Sequence, residues 1–258
     1  MPALGLGTYK LVGQLAYEPV RSALSCGYRH LDTASFYENE ESIGLAVRDS
    51  GVPREEVFIT SKMWNTEQGY EGTLKAFDRS LRRLGTDHLD LYLVHWPVTG
   101  RRLDTYRALE TLYREGKVRA IGVSNFIVRH LQELYEACQV VPAVDQVEMS
   151  PFLYQKGLLQ YCQARDLLVT AYSPFARGQV LGHQTLGDIG ERHGKSPAQV
   201  IVRWCLQKGM SVIPRSSDAR RIEENAQVFD FSLDREEMAR LDLLHSGLRT
   251  TTDPDSYA

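Results

Sequence analysis

Four titratable side chains of different chemistry fall at or just after the ends of short apolar runs. The run Tyr28–Thr33 carries Asp32, with Tyr37 five residues later. Glu56–Lys62 ends in Lys62, and His88–Pro97 carries His95, followed by Trp96 and Pro97. Alone, each has an ordinary explanation: a helix cap for Asp32, packing for Tyr37, a solvated end for Lys62, a satisfied core histidine for His95. Together they suit proton delivery to an oxygen that gains negative charge, as when a carbonyl accepts hydride. A tyrosine, with an ordinary pKa near 10, is a poor acid at neutral pH. A lysine beside it is expected to lower that pKa, a carboxylate to hold the lysine charged, and a histidine to orient the substrate oxygen.

The elements that must bring these groups together can be read from the pattern around them. Near-continuous apolar runs alternate with stretches whose apolar residues recur at helical spacing, such as Leu74, Phe77, Leu81 and Leu84. Runs without polar alternation are characteristic of strands buried on both faces of a parallel sheet. Strand ends fall near 7, 32, 62, 95, 124, 148, 173 and 215. Eight strands alternating with helices predict an α/β fold, a (β/α)8 barrel whose active site lies at the C-terminal strand ends. The long last step holds two helices, near Leu186–His193 and from Ser196. The second opens on Ser196-Pro197-Ala198-Gln199, a capping box with proline in the first turn. A last helix is expected near Asp234–Leu244. The polar tail from Thr250 to Ala258 is expected to be loose. With no linker or low-complexity segment, residues 1–258 are read as one barrel domain.

The chain has 258 residues, 43% of them hydrophobic and 24% charged, with a net charge of −3. That balance gives no reason to expect nucleic acid or an anionic membrane as partner. The four cysteines form no C-x-x-C pair and read as buried hydrophobes in a reducing, cytoplasmic setting. No apolar run reaches the ~18 residues of a membrane span. A doubly wound dinucleotide fold is disfavoured because Gly5-Leu6-Gly7 is followed by Lys10 where its fingerprint needs a third glycine. A metal-dependent hydrolase would draw on His30, Asp32 and His95, too few strand-end ligands, so no metal is expected.

At this point the sequence resembles the aldo-keto reductase family. The segment Asp32-Thr33-Ala34-Ser35-Phe36-Tyr37-Glu38-Asn39-Glu40 matches the family's D-T-A-x-x-Y-x-N-E signature. Gly5-Leu6-Gly7-Thr8, Ser61-Lys62-Met63-Trp64, His95-Trp96-Pro97, Gly122–Phe126, Gln146-Val147-Glu148, Ala171–Pro174 and Ile213–Ser216 continue the match over essentially the whole chain. Within the family the sequence is most similar to the short bacterial branch of 2,5-diketo-D-gluconate reductases and methylglyoxal reductases.

The resemblance implies a soluble, cytoplasmic, NADPH-dependent reductase of small carbonyl compounds, with monomer as the default state. Tyr37 would be the proton donor, tuned by Lys62 and Asp32, with His95 orienting the carbonyl. NADPH/NADP would lie across the barrel mouth. Ser124, Asn125 and Gln146 would bind its nicotinamide amide, and Tyr172, followed by Ser173 and Pro174, would stack on the ring. Gly7, Thr8, Tyr9 and Asp32 would lie close to it, with Tyr9, Tyr37, Trp64, His95 and Trp96 facing the substrate. After strand 8, Ile213, Arg215, Ser216, Ser217 and Arg221 would meet the cofactor phosphates, and Glu224 and Asn225 the adenine. The residues themselves agree: a helix starting near Asp218 would offer free N–H groups to a phosphate, and Arg215 and Arg221 suit a 2′-phosphate. Arg215 stands where many relatives have lysine, and Tyr9 replaces a common tryptophan. Short loops after His95 and Pro174 and a short tail predict an open pocket and broad substrate acceptance. The alternative within the same fold is a non-catalytic NADPH-binding sensor.

Overall fold

The computed structural model describes residues 1–257. Eight parallel strands alternate with helices in chain order: β1 (Leu6–Gly7), α1 (Gln14–Ser25), β2 (His30–Asp32), α2 (Glu40–Asp49), β3 (Phe58–Met63), α3 (Tyr70–Leu84), β4 (Leu89–Val94), α4 (Arg102–Arg114), β5 (Val118–Ser124) and α5 (Val128–Ala137). Then follow β6 (Val144–Glu148), α6 (Lys156–Gln163), β7 (Leu168–Tyr172), α7 (Gln184–His193), α8 (Pro197–Gln207), β8 (Ser211–Ile213), α9 (Ala219–Ala226) and α10 (Arg235–Asp242). The strands pair in sequence order from β1 to β8. The ring closes where Val212 N–H donates to Ala3 and Gly5 N–H donates to Val212. This is the (β/α)8 barrel expected from the spacing of the apolar runs.

Closure constrains the sequence locally. A Cβ on Gly7 would lie 2.8 Å from the Ile213 carbonyl oxygen, so only glycine lets β1 lie this close to β8. Burial follows the strand pattern, with β4 and β6 covered along their whole length. The main apolar core fills the layer between sheet and helices: Ile59, Phe77, Tyr92, Val123 and Trp204 all belong to it.

The last βα step holds two helices as the sequence indicates, and the capping box is present. Gln199 N–H donates to the Ser196 hydroxyl, and Ser196 N–H donates to the Gln199 side chain. The strand-8 end comes earlier than read, at Ile213, because Pro214 interrupts the ladder. The tail corrects a second expectation. Thr250 and Thr251 are bonded to the Glu148 carboxylate, and Pro254–Tyr257 forms a 3-10 turn. Its polar residues find partners on the barrel, so polarity here does not mean looseness. Among the described residues no helix is long and apolar enough to cross a membrane.

Candidate active site

A cleft of about 1040 Å³ crosses the C-terminal face of the barrel. Every residue expected at the site lines it except Lys62, which is fully buried behind Asp32 and Tyr37. Any effect of Lys62 on a bound molecule therefore passes through those two.

Lys62 Nζ donates to Asp32 Oδ1 at 2.7 Å and to the Thr33 carbonyl at 2.8 Å, and reaches the Tyr37 hydroxyl only at 3.4 Å. The other Asp32 oxygen accepts from Gln146 Nε2 at 2.7 Å. Burial pushes Asp32 up and Lys62 down, and each charge opposes the other's shift. Tyr37 departs from expectation. Burial raises its hydroxyl well above the usual range, and the Asp32 carboxylate adds to this. The Lys62 ammonium, 3.4 Å away, does not offset this rise, because its shorter contacts are with Asp32 and Thr33. The consequence suits an acid: Tyr37 stays protonated at every physiological pH and holds a proton to give.

His95 is kept neutral by burial and by the nearby Lys62 charge. Its Nδ1 is buried without a partner. A ring carrying its hydrogen on Nε2 leaves no buried N–H unpaired and can donate a hydrogen bond. The rings of Tyr9 and His95 flank Tyr37, with centroids 5.1 and 5.7 Å away. Trp64 packs edge-on against His95 and stacks on Phe36. Trp96 stacks on Tyr257. Aromatic rings therefore surround the Tyr37 hydroxyl.

The signature around Tyr37 divides between chemistry and scaffold. Asn39 Nδ2 donates to the Thr8 and Leu11 carbonyls, and its Oδ1 accepts from Thr33 at 2.6 Å. Glu40 accepts from Ser61 at 2.6 Å. These bonds tie the loops after β1 and β2 to β3. The Thr8 hydroxyl, expected near the cofactor, is used in the same staple and donates to the Asp32 carbonyl.

At β5, β6 and β7 the amide and hydroxyl groups interlock. Ser124 donates to the Gln146 carbonyl, Asn125 Nδ2 to the His95 carbonyl, and the Tyr172 hydroxyl to Asn125 Oδ1 at 2.7 Å. Asn125 adopts a left-handed backbone, φ 63°, which asparagine tolerates better than most residues. Ser173, Ala176 and Arg177 are also left-handed, so the loop after β7 turns sharply back over the cleft.

At the far end Arg215, Ser217 and Arg221 are exposed. Neither arginine forms an ion pair among the described residues. The start of α9 is less open than expected. Asp218 caps it, accepting from Arg220 N–H, and the Ser216 hydroxyl accepts from Asp218 N–H. A phosphate there would rely on the two free guanidinium groups more than on helix N–H groups. Lining residues that sequence reasoning missed include Lys10, Phe36, Arg177, Thr251 and Tyr257. They come from loops and the tail, which carry no periodic signal. Among the described residues no group of three or more His, Cys, Asp or Glu could hold a metal ion.

A barrel with a protonated tyrosine in the wall of a long cleft fits an oxidoreductase of carbonyl groups. The chain belongs to the aldo/keto reductase family, whose model matches residues 3–245. It is 51% identical to the glyoxal reductase of Bacillus subtilis (strain 168), over 99% of this chain and 93% of that protein. An aldo-keto reductase from a Medee basin deep-sea metagenome library superposes with a TM-score of 0.97 at 46% identity, covering 99% of this chain and 95% of that one. A variant of Gox0644 solved in complex with NADPH gives 0.95 at 39% identity, covering 99% and 94%.

Proposed function

We propose that this protein reduces small aldehydes and dicarbonyl compounds with NADPH, methylglyoxal being the representative substrate and keto sugars such as 2,5-diketo-D-gluconate a further group. One observation carries the reading: the Tyr37 hydroxyl, backed by Lys62 and Asp32 and flanked by His95, sits on the wall of a cleft whose other end holds two unpaired arginines. The cleft suits an elongated dinucleotide. Arg215 and Arg221 would take the 2′-phosphate, Glu224 and Asn225 would meet the adenine, and Tyr172 and Asn125 would hold the nicotinamide. When bound, this cofactor supplies a hydride.

The chain's own residues do the rest. His95, neutral, donates a hydrogen bond to the carbonyl oxygen and orients it. Tyr37 gives its proton to that oxygen as negative charge develops, and the Lys62 ammonium faces the phenolate left behind. Trp64, Trp96 and Phe36 exclude water from the reacting carbon. The similarity to a glyoxal reductase and to a structure solved with NADPH supports the same reading.

The test is NADPH consumption with methylglyoxal and with 2,5-diketo-D-gluconate, for the wild type and Tyr37→Phe. A fall in kcat of about 10²–10⁴-fold in the variant, with NADPH still bound, is expected for loss of a general acid. Tight NADPH binding without turnover of any carbonyl offered would instead favour a sensor.

A further inference from the structure

Glu148 ends β6 and is 2% exposed. Its carboxylate is saturated by the tail: Oε1 accepts from Thr250 N–H at 2.7 Å and from the Thr250 hydroxyl at 2.5 Å. Oε2 accepts from Thr251 N–H at 3.1 Å and from the Thr251 hydroxyl at 2.5 Å. The Thr251 hydroxyl also lies 3.0 Å from the Tyr172 hydroxyl, which reaches Asn125 Oδ1. Four oxygens therefore form a chain, from Glu148 through Thr251 and Tyr172 to Asn125.

The chain is one hydrogen short. A carboxylate ends it on one side. Asn125 Oδ1 ends it on the other, since the asparagine's Nδ2 is committed to the His95 carbonyl and the Ser124 hydroxyl. Two hydroxyl hydrogens must serve three links. A donor arriving at Asn125 Oδ1 would free the tyrosine hydrogen to turn toward Thr251, and the Thr251 hydrogen to stay on Glu148. On the reading above, the nicotinamide carboxamide is such a donor.

We propose that Glu148 is a positioning residue for the cofactor: it holds the tail through Thr250 and Thr251, and through Thr251 it sets the Tyr172 ring and the Asn125 amide against which the nicotinamide lies. The inference rests on the cofactor reading given above. Coupling of this kind is reciprocal, so cofactor must tighten the clamp as much as the clamp tightens cofactor.

The Arg249–Thr250 bond adjoins the clamp and is a trypsin site. Saturating NADP⁺ is expected to slow cleavage there several-fold more than at the remote site after Arg114. Glu148→Ala and Thr251→Val are expected to speed cleavage after Arg249 and to weaken NADP⁺ binding, followed by protein fluorescence, about tenfold. Thr251→Ser, which keeps the hydroxyl, is expected to stay within about twofold of the wild type. If Glu148→Ala does not fold, the Thr251 pair decides alone. A freed tail with unchanged NADP⁺ affinity would overturn the proposal and leave Glu148 purely structural, as would cleavage that NADP⁺ does not slow. A wild type that bound no NADP⁺ would overturn the cofactor reading itself, and this inference with it.

Discussion

Asp32 on β2 and Asp145 on β6 are both fully buried aspartates in the same sheet. Asp32 faces the barrel mouth and is met by Lys62 and Gln146. Asp145 precedes the cleft-lining Gln146, so strand alternation turns it to the other face, toward the helical layer. Neither of its oxygens has a hydrogen-bond partner of good geometry. Burial raises its carboxyl well above the usual range, opposed only by the Phe126 backbone N–H. One aspartate is partnered and sits against the reacting hydroxyl's lysine. The other has only the Phe126 backbone N–H nearby, and its burial favours the neutral form. Burial alone therefore does not mark a functional carboxylate in this barrel; the partner does.

The largest effect should come from making Asp32 resemble Asp145. Lys62→Met removes its cation and leaves an uncompensated buried carboxyl. Stability should fall by about 3–5 kcal/mol, read from urea unfolding. The kcat with methylglyoxal should fall by at least about 10²-fold, since Tyr37 loses the ammonium facing its phenolate. The double variant Asp32→Asn/Lys62→Met should regain part of the stability and none of the activity. Wild-type turnover in the double variant would detach the pair from catalysis.

The converse change should stabilise. Burial favours the protonated form of Asp145 in the folded state, whereas an unfolded aspartate ionises near pH 3.9. The folded state therefore binds more protons than the unfolded once pH exceeds that value, and stability falls as pH rises. Above about pH 3.9 each pH unit costs about 1.4 kcal/mol until the folded carboxyl itself ionises. Asp145→Asn removes that cost. A gain in stability is expected at pH 7, shrinking toward zero near pH 4, with kcat unchanged. A loss of stability at pH 7, or a gain independent of pH, would show that Asp145 is not protonated.

Much of this was legible in the sequence because the two kinds of information it carries best, periodicity and motif, coincide here. The strand ends at Gly7, Asp32, Ser124 and Glu148 fall where the apolar runs stop, and Ser196 with Gln199 fixed the start of α8. What the sequence does not show is whom a side chain faces. Lys62 belongs to the signature set, yet it stands behind the wall, and with its shortest contacts on Asp32 and Thr33 it does not outweigh the burial that raises Tyr37. Ser216 and the helix start near Asp218 read as a phosphate site until Ser216 and Asp218 are seen to satisfy each other. The tail has no periodicity at all, so the return of Thr251 and Tyr257 to the cleft depends on partners more than a hundred residues away, as with Glu148 and Thr251.

The smallest effects belong to charges met by water, and they set the limit of the comparison. Arg220 is almost fully exposed and, among the described residues, pairs only with Asp218 on its own turn. Arg220→Ala should change stability by less than about 0.5 kcal/mol, and should leave the ratio of NADPH to NADH dissociation constants unaltered. Arg215→Ala changes another exposed guanidinium, but one that lines the cleft and has no ion-pair partner among the described residues. It should weaken NADPH about tenfold, leave NADH unchanged, and lose most of its effect at high salt, as expected of a solvent-exposed contact to a 2′-phosphate. Equal losses for both coenzymes would place Arg215 on the shared part of the dinucleotide. In that case the unpaired charge at this end of the cleft would select for a phosphate of either coenzyme, and not for the one that distinguishes NADPH.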